Sequence, residues 1–165
     1  MEEFKNIKIT VFCGSSFGNE NLYIKETKKL GIGIVKRNWT TLFGGNNSGL
    51  MGVLAKSIIS KKGKITAIYL QNQNKKNLEY NYTNFILTKN LGKRKFLLIS
   101  KADFIIALPG GIGTLDEIFE LLSFNIIYGN QKPLFLININ NYWTPLLNLL
   151  ENYKCQKFID INILN

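Results

Sequence analysis

The sequence predicts an α/β fold: a Rossmann-like, doubly wound parallel sheet flanked by helices, as a single domain over 1–165. Three observations predict it. Strand-patterned and helix-patterned segments alternate along the whole length. One segment, "DFIIAL", is almost wholly apolar, as a strand buried on both faces should be. Three Gly-rich turns follow strands, at the sheet edge where open α/β sheets bind ligands.

The elements follow in order. "NIKITVF" alternates Ile7, Ile9 and Val11 and reads as a strand that stops at the polar turn "CGSSFGN". "NLYIKETKKLGIGIVKR" carries Leu22, Tyr23, Leu30 and Ile34 near helical spacing. "TTLF" is a short strand running into "GGNNSGLMG", and the next helix sets Leu50, Met51, Leu54 and Ile58 on one face. "KITAIYL" is the third strand, "QNQNKKNLEYNYTN" a polar loop and "FILT" the fourth strand. "LGKRKFLLISKA" is a helix bearing Arg94 and Lys95, and "DFIIAL" is the fifth strand. After "PGGIG" a helix is predicted from about Thr114 to Ile127, stopped by Gly129. "PLFLIN" is the last strand, and Thr144-Pro145 reads as an N-cap followed by Pro at the first helical position.

Composition narrows the chemistry. With 45% hydrophobic and 19% charged residues the chain is globular rather than disordered. No apolar run is long enough to span a membrane. The start "MEEFKNIKIT" does not read as a signal peptide, and a cytoplasmic location is expected. Cys13 and Cys155 form neither a disulfide framework nor a metal spacing, so no metal is expected. The net charge is +10, but the lysines are scattered and no aromatic stacking motif interleaves them. A generic basic surface that suits a small anionic substrate is expected, without nucleic acid as a partner. Histidine is absent, so acid–base chemistry falls to Asp, Glu, Lys, Tyr, Cys or water.

The turns fail two known phosphate signatures. The first turn, "GSSFGN", is not G-x-G-x-x-G, and the second strand ends in "LFGG" without a ribose-binding acid, which argues against hydride transfer. No G-x-x-x-x-G-K-[ST] loop is present. What remains is a nucleotide or sugar phosphate held by backbone N–H groups at helix N-termini. Candidate contacts are Ser15 in the first turn, Gly45 in the second, and Gly110, Gly111 and Gly113 in the third. Thr114-Leu115-Asp116-Glu117 also fits a capping box, in which Glu117 would reach back to an orphan N–H. A capping box does not need the glycines before it, whereas close approach of backbone to phosphate does.

Here the residues carry a family resemblance. "PGGIGTLDE" resembles the P-G-G-x-G-T-x-x-E motif of the Lonely guy (LOG) family of cytokinin riboside 5′-monophosphate phosphoribohydrolases, long labelled lysine decarboxylases. "GKRKFLLISKADFIIALPGG" resembles that family's R-K segment and following strand, and "VFCGSS", "SGLMG" and "QKPLFLININNYWTPLL" resemble further segments. The similarity runs from about Lys8 to Leu147.

The resemblance implies hydrolysis of the N-glycosidic bond of a nucleoside 5′-monophosphate, cytokinin riboside 5′-monophosphate or AMP, without a cofactor. It implies catalytic roles for Arg94 and Glu117. It implies substrate contacts at Lys95, at Gly111 through Glu117 (Ile112, Leu115 and Asp116 included), and at Ser123, where the family usually has Thr. It also implies a homodimer with the helix after Thr114 at the interface. That helix carries Leu115, Ile118, Phe119, Leu121, Leu122, Phe124, Ile126 and Ile127, more than one face, and so should be buried beyond one sheet contact. Without the resemblance, Arg94 and Lys95 read as a solvated helix face beside Lys93.

The sequence departs from the family in places. A family acid roughly 18 positions before the motif arginine falls on Lys76, with Glu79 close by. Asn46 stands where a third glycine is usual, Leu91-Gly92 where Met and His are common, and Phe124 where Trp is common. Asp103 falls at the start of its strand, the wrong end of the sheet for catalysis. A non-catalytic nucleotide or cofactor carrier on the same fold is the alternative reading. A pyridoxal phosphate decarboxylase is disfavoured because no residue marks a Schiff-base lysine.

Overall fold

A computed structural model describes residues 6–71, 82–129 and 132–159. Six strands among these residues form one sheet: β1 (Lys8–Phe12), β2 (Thr40–Phe43), β3 (Lys64–Leu70), β4 (Asn84–Thr88), β5 (Phe104–Ala107) and β6 (Leu134–Leu136). Their order is β4-β3-β2-β1-β5-β6, and every pairing is parallel. Among the described residues five α-helices flank them: α1 (Asn21–Lys36), α2 (Gly49–Ile59), α3 (Leu91–Ser100), α4 (Ile112–Tyr128) and α5 (Thr144–Cys155). No described helix is long and apolar enough to cross a membrane.

Period-two alternation divides the core. Ile9 and Val11 of β1, Phe43 of β2 and Ile65 and Ala67 of β3 pack with Ile34 of α1 and Leu50, Leu54 and Ile58 of α2. Phe12, Leu42, Ile68, Ile105 and Ala107 face the other way, against Leu98, Ile99, Ile118, Leu121 and α5's Leu146 and Leu150. Each such Leu or Ile, taken fully out of water, contributes about 1.5–3 kcal/mol before chain entropy is counted. The polar exception in β1, Thr10, donates its hydroxyl hydrogen bond to the Leu98 carbonyl of α3.

Connections leave β1 in one direction through α1 and leave β5 in the other through α4. The sheet therefore switches direction between β1 and β5. Their register sets Phe12 opposite Ala107, and the Leu108 N–H donates to the Phe12 carbonyl at 2.9 Å. The turns after these strands thus leave the sheet side by side, where α/β sheets open a ligand crevice.

Two predicted helix starts differ. α4 begins at Ile112, before Thr114, with Gly111 as its N-cap; its C-terminal stop at Gly129 (φ 60°) is as predicted. α5 begins at Thr144 itself with Trp143 as N-cap, because the Thr144 hydroxyl accepts from the Asn138 side-chain amide instead of capping. Most of the polar loop, with Lys76 and Glu79, lies outside the described residues.

Candidate functional site

A cleft of ≈ 470 Å³ opens at the switch point, between the turn after β1 and the loop after β5. The turns are joined directly: the Gly14 N–H donates to the Pro109 carbonyl at 3.0 Å. The start of α2 braces the first turn from behind. Its Leu50 and Met51 N–H groups donate to Ser16 and Gly14 carbonyls at 3.4 and 3.2 Å, and the Ser48 hydroxyl donates to the Ser15 carbonyl at 3.1 Å. Gly49, at φ +57°, presses so close that a Cβ there would stand 2.2 Å from the Ser15 carbonyl carbon. The first N–H groups of α2 are therefore spent on the protein, and "GGNNSGLMG" supports the first turn more than it faces a ligand. Gly45 does not line the cleft; at φ +78° it lies under the Tyr69 ring, which a Cβ would meet at 2.4 Å.

The loop after β5 is built differently. Thr114 and Leu115 N–H groups both donate to the Gly111 carbonyl, at 3.0 and 3.1 Å. Thr114 is thus the third residue of α4, its side chain buried against Gly110, where a Cβ would stand 2.1 Å from Thr114 Oγ1. No capping box forms, and Glu117 does not turn back to Thr114. Gly110 permits the shift, since a Cβ there would strike Thr114 Oγ1, and the N-cap falls at Gly111, three residues before the Thr114 that the Thr-x-x-Glu pattern predicts. The Ile112 and Gly113 N–H groups precede the first intrahelical bond, and among the described residues none of the hydrogen bonds takes them up. A Cβ at Gly111 or Gly113 would meet nothing within 4 Å. Nothing in the fold itself needs glycine there; an anion drawn close to these amides would.

Glu117 follows one turn along α4 and faces the cleft. Burial, opposed by the nearby positive Arg94, pushes its carboxyl up to about 7; Asp116 adds to the rise and Lys95 offsets it. Arg94 enters from α3. Its Nε donates to the Ile68 carbonyl at 3.0 Å and its Nη2 to the Gly44 carbonyl at 3.0 Å, so the ends of β2 and β3 hold the guanidinium. Gly44 makes room for it, since a Cβ there would lie 1.9 Å from Nη2. Lys95, beside it, is ion-paired to Asp116 at 3.1 Å and to Glu120 at 2.9 Å, ties α3 to α4, and is held above its ordinary pKa chiefly by its hydrogen bond to Glu120. Cys13 lies at the cleft margin as a buried thiol whose pKa is raised by burial and by Glu117. Among the described residues, no group of three or more Cys, Asp and Glu is gathered to hold a metal.

Arg94, Lys95, Ser15, Gly110, Gly111, Ile112, Gly113, Thr114, Asp116 and Glu117 thus converge on one cleft. Leu115 turns instead to the core beneath α4, and Ser123 is exposed further along α4, away from the cleft. Asp103 sits at the opposite edge, accepting from the Lys8 N–H at 2.8 Å. The sequence reading missed Tyr142, Tyr23, Phe17, Asn46 and Met51, which also line the cleft. For Tyr142 a signal existed: it follows the carboxyl end of β6, the edge to which the glycine turns had already pointed.

Fold and cleft together define a class, a Rossmann-like α/β protein with an anion-suited cleft at the switch point of its sheet. The chain belongs to the Lonely guy (LOG) family. The family model described as "Possible lysine decarboxylase" matches residues 51–164. A Rhodococcoides fascians protein named cytokinin riboside 5′-monophosphate phosphoribohydrolase is 31% identical over 153 residues, covering 92% of this chain and 77% of that one. An Arabidopsis thaliana protein of the same name is 29% identical over 158 residues, covering 95% of this chain and 74% of that one. Among solved structures, the molybdenum cofactor binding protein from Rippkaea orientalis superposes with a TM-score of 0.72 at 26% identity, over 90% of this chain and 86% of that one.

Proposed function

We propose that the protein hydrolyses the N-glycosidic bond of a nucleoside 5′-monophosphate, a cytokinin riboside 5′-monophosphate or AMP, releasing free base and ribose 5-phosphate. The observation that carries this is the placement of Glu117 one helical turn beyond the open Ile112 and Gly113 amides. A phosphate on those amides brings the attached ribose toward the carboxyl. The names of the relatives support the same chemistry.

Breaking C1′–N9 builds oxocarbenium character on the ribose. The Glu117 carboxylate stabilises that charge and orients a water for attack at C1′. The water oxygen bonds to C1′ and its proton passes to Glu117; the C1′–N electron pair leaves with the base, which takes up a proton from solvent, and Glu117 then returns its proton to solvent. A carboxyl with a pKa of about 7 suits this exchange at neutral pH. Arg94, permanently charged, keeps the carboxyl from rising further and offers its remaining N–H groups to the substrate. Asp116 and Ser15 are the candidates for ribose hydroxyls. Lys95, ion-paired and held protonated, positions Asp116 and is a poor Schiff-base amine, which argues against the decarboxylase description.

The chain also assembles as a homodimer in this reading. α4 buries Thr114, Ile118, Leu121 and Leu122 within one copy but leaves Ile127 72% and Ile126 56% exposed, beside Phe119 and the Phe124–Tyr128 ring pair. A second copy of that face would cover them and place Ser123 at the interface.

Incubation with AMP and with N6-prenylated AMP tests the activity by release of base and ribose 5-phosphate. Tight AMP binding without release from either would favour the carrier reading, to which the Rippkaea orientalis likeness lends support.

A further inference from the structure

Tyr142 is outside the machinery proposed above, yet it touches that machinery directly. Its hydroxyl donates to the Gly110 carbonyl at 2.6 Å, across 32 positions of sequence. The segment that delivers it is unusual. Asn140 and Asn141 both hold positive φ, 48° and 59°, a conformation that costs an L-residue energy and that Asn tolerates better than most. The turn is held from both sides: the Trp143 N–H donates to Asn138 Oδ1 at 2.7 Å, and Tyr142 meets Tyr23 edge-on at 5.7 Å between ring centroids. Strain sustained by that many contacts fixes one position for the Tyr142 phenol.

Gly110 needs such a hold. Its neighbour's carbonyl, on Pro109, is already taken by the Gly14 N–H. With Tyr142 bound to the next carbonyl, both peptide planes ahead of α4 are fixed from outside the loop. A trans peptide sets the N–H of the following residue antiparallel to its carbonyl, so orienting Gly110 C=O also orients Gly111 N–H and the entry into α4. Gly111 and Gly113 have no side chains to do this for them, and the Gly111 carbonyl is held from within α4, by the Thr114 and Leu115 N–H groups.

We infer that Tyr142 is a positioning residue for the phosphate end of the site, presetting the Gly110–Gly113 backbone for a phosphorylated ligand through its hydrogen bond to the Gly110 carbonyl. This rests on the nucleotide-site reading but not on hydrolysis. Removing the hydroxyl alone leaves the ring packing and frees the loop to pay an ordering cost on binding.

The test is Tyr142→Phe, with AMP, ribose 5-phosphate and adenosine titrated calorimetrically into variant and wild type. Affinity for both phosphorylated ligands should fall about tenfold, with adenosine unchanged. In turnover, KM for the nucleotide should rise by a similar factor while kcat stays within about twofold. Undiminished affinity for ribose 5-phosphate and AMP, or equal weakening of adenosine, overturns the inference. A wild type that binds AMP no better than adenosine overturns the nucleotide-site reading along with it. A wild type that prefers AMP, releases no base and loses that preference in Tyr142→Phe supports the inference while removing hydrolysis.

Discussion

Arg94 and Glu117 share a cleft without sharing a hydrogen bond: Arg94 is bound to the Ile68 and Gly44 carbonyls, and it acts on Glu117 through space, lowering a pKa that burial raises. A direct ion pair would fix Glu117 as a spectator carboxylate. The separation leaves it able to exchange a proton near neutrality.

The pH dependence follows from that relationship. With the carboxylate as the active form, kcat/KM should climb with pH through about 7 and then level. Arg94→Met removes the charge that favours ionisation, so the surviving activity should climb at higher pH. A pH–rate profile on both proteins checks this, and an unmoved limb would separate Glu117 from the rate.

Glu117 should also cost stability. Its folded pKa, about 7, lies above the ordinary 4.5, so between those values the folded chain holds a proton that the unfolded chain has released. Stability is intact below about 4.5, falls as pH rises through that window and stays reduced above 7. Glu117→Gln should therefore be more stable than wild type by roughly 1–3 kcal/mol at pH 8, a few degrees in Tm, and equal to it near pH 4. The same variant should lose base release, the pattern of a site kept at the expense of stability. Thermal melts at the two pH values provide the measurement.

Gly113→Ala separates fold from function. A Cβ there meets nothing within 4 Å and α4 already has helical backbone at that position, so the variant should gain about 0.5–1 kcal/mol. It should nonetheless bind AMP or ribose 5-phosphate more weakly, because the new methyl occupies the approach to the amides. An equal Kd with raised stability would remove Gly113 from the phosphate contact.

The exposed end of α4 gives the assembly prediction. Wild type should sediment as a dimer, and Ile127→Asp, far from the core of its own copy, should sediment as a monomer with an unchanged far-ultraviolet spectrum. A wild-type monomer would mean that this face has another occupant.

Legibility in the sequence depended on range. TTLF and KITAIYL read directly as β2 and β3 because strand identity is carried by local alternation and β-branched residues. The loop glycines pointed to the right edge of the sheet for the same reason, since a turn's backbone demands are local. The α4 start was misplaced because a capping box and a glycine-led entry share the letters Gly-x-Gly-Thr-x-x-Glu, and only the hydrogen bonds of Thr114 and Leu115 to Gly111 distinguish them.

By itself the sequence determined the α/β alternation, the absence of histidine chemistry, and the segments around Arg94 and Glu117 that resemble one family. Tertiary structure alone decided what those residues can do. It spent the first amides of α2 on the β1 turn, tied Lys95 to two carboxylates, buried Glu117 toward a pKa of about 7, and brought Tyr142 to Gly110 from 32 positions away. Periodicity and turn chemistry act between near neighbours in the chain. Desolvation, ion pairing and carbonyl capture depend on which distant segments the sheet order sets side by side.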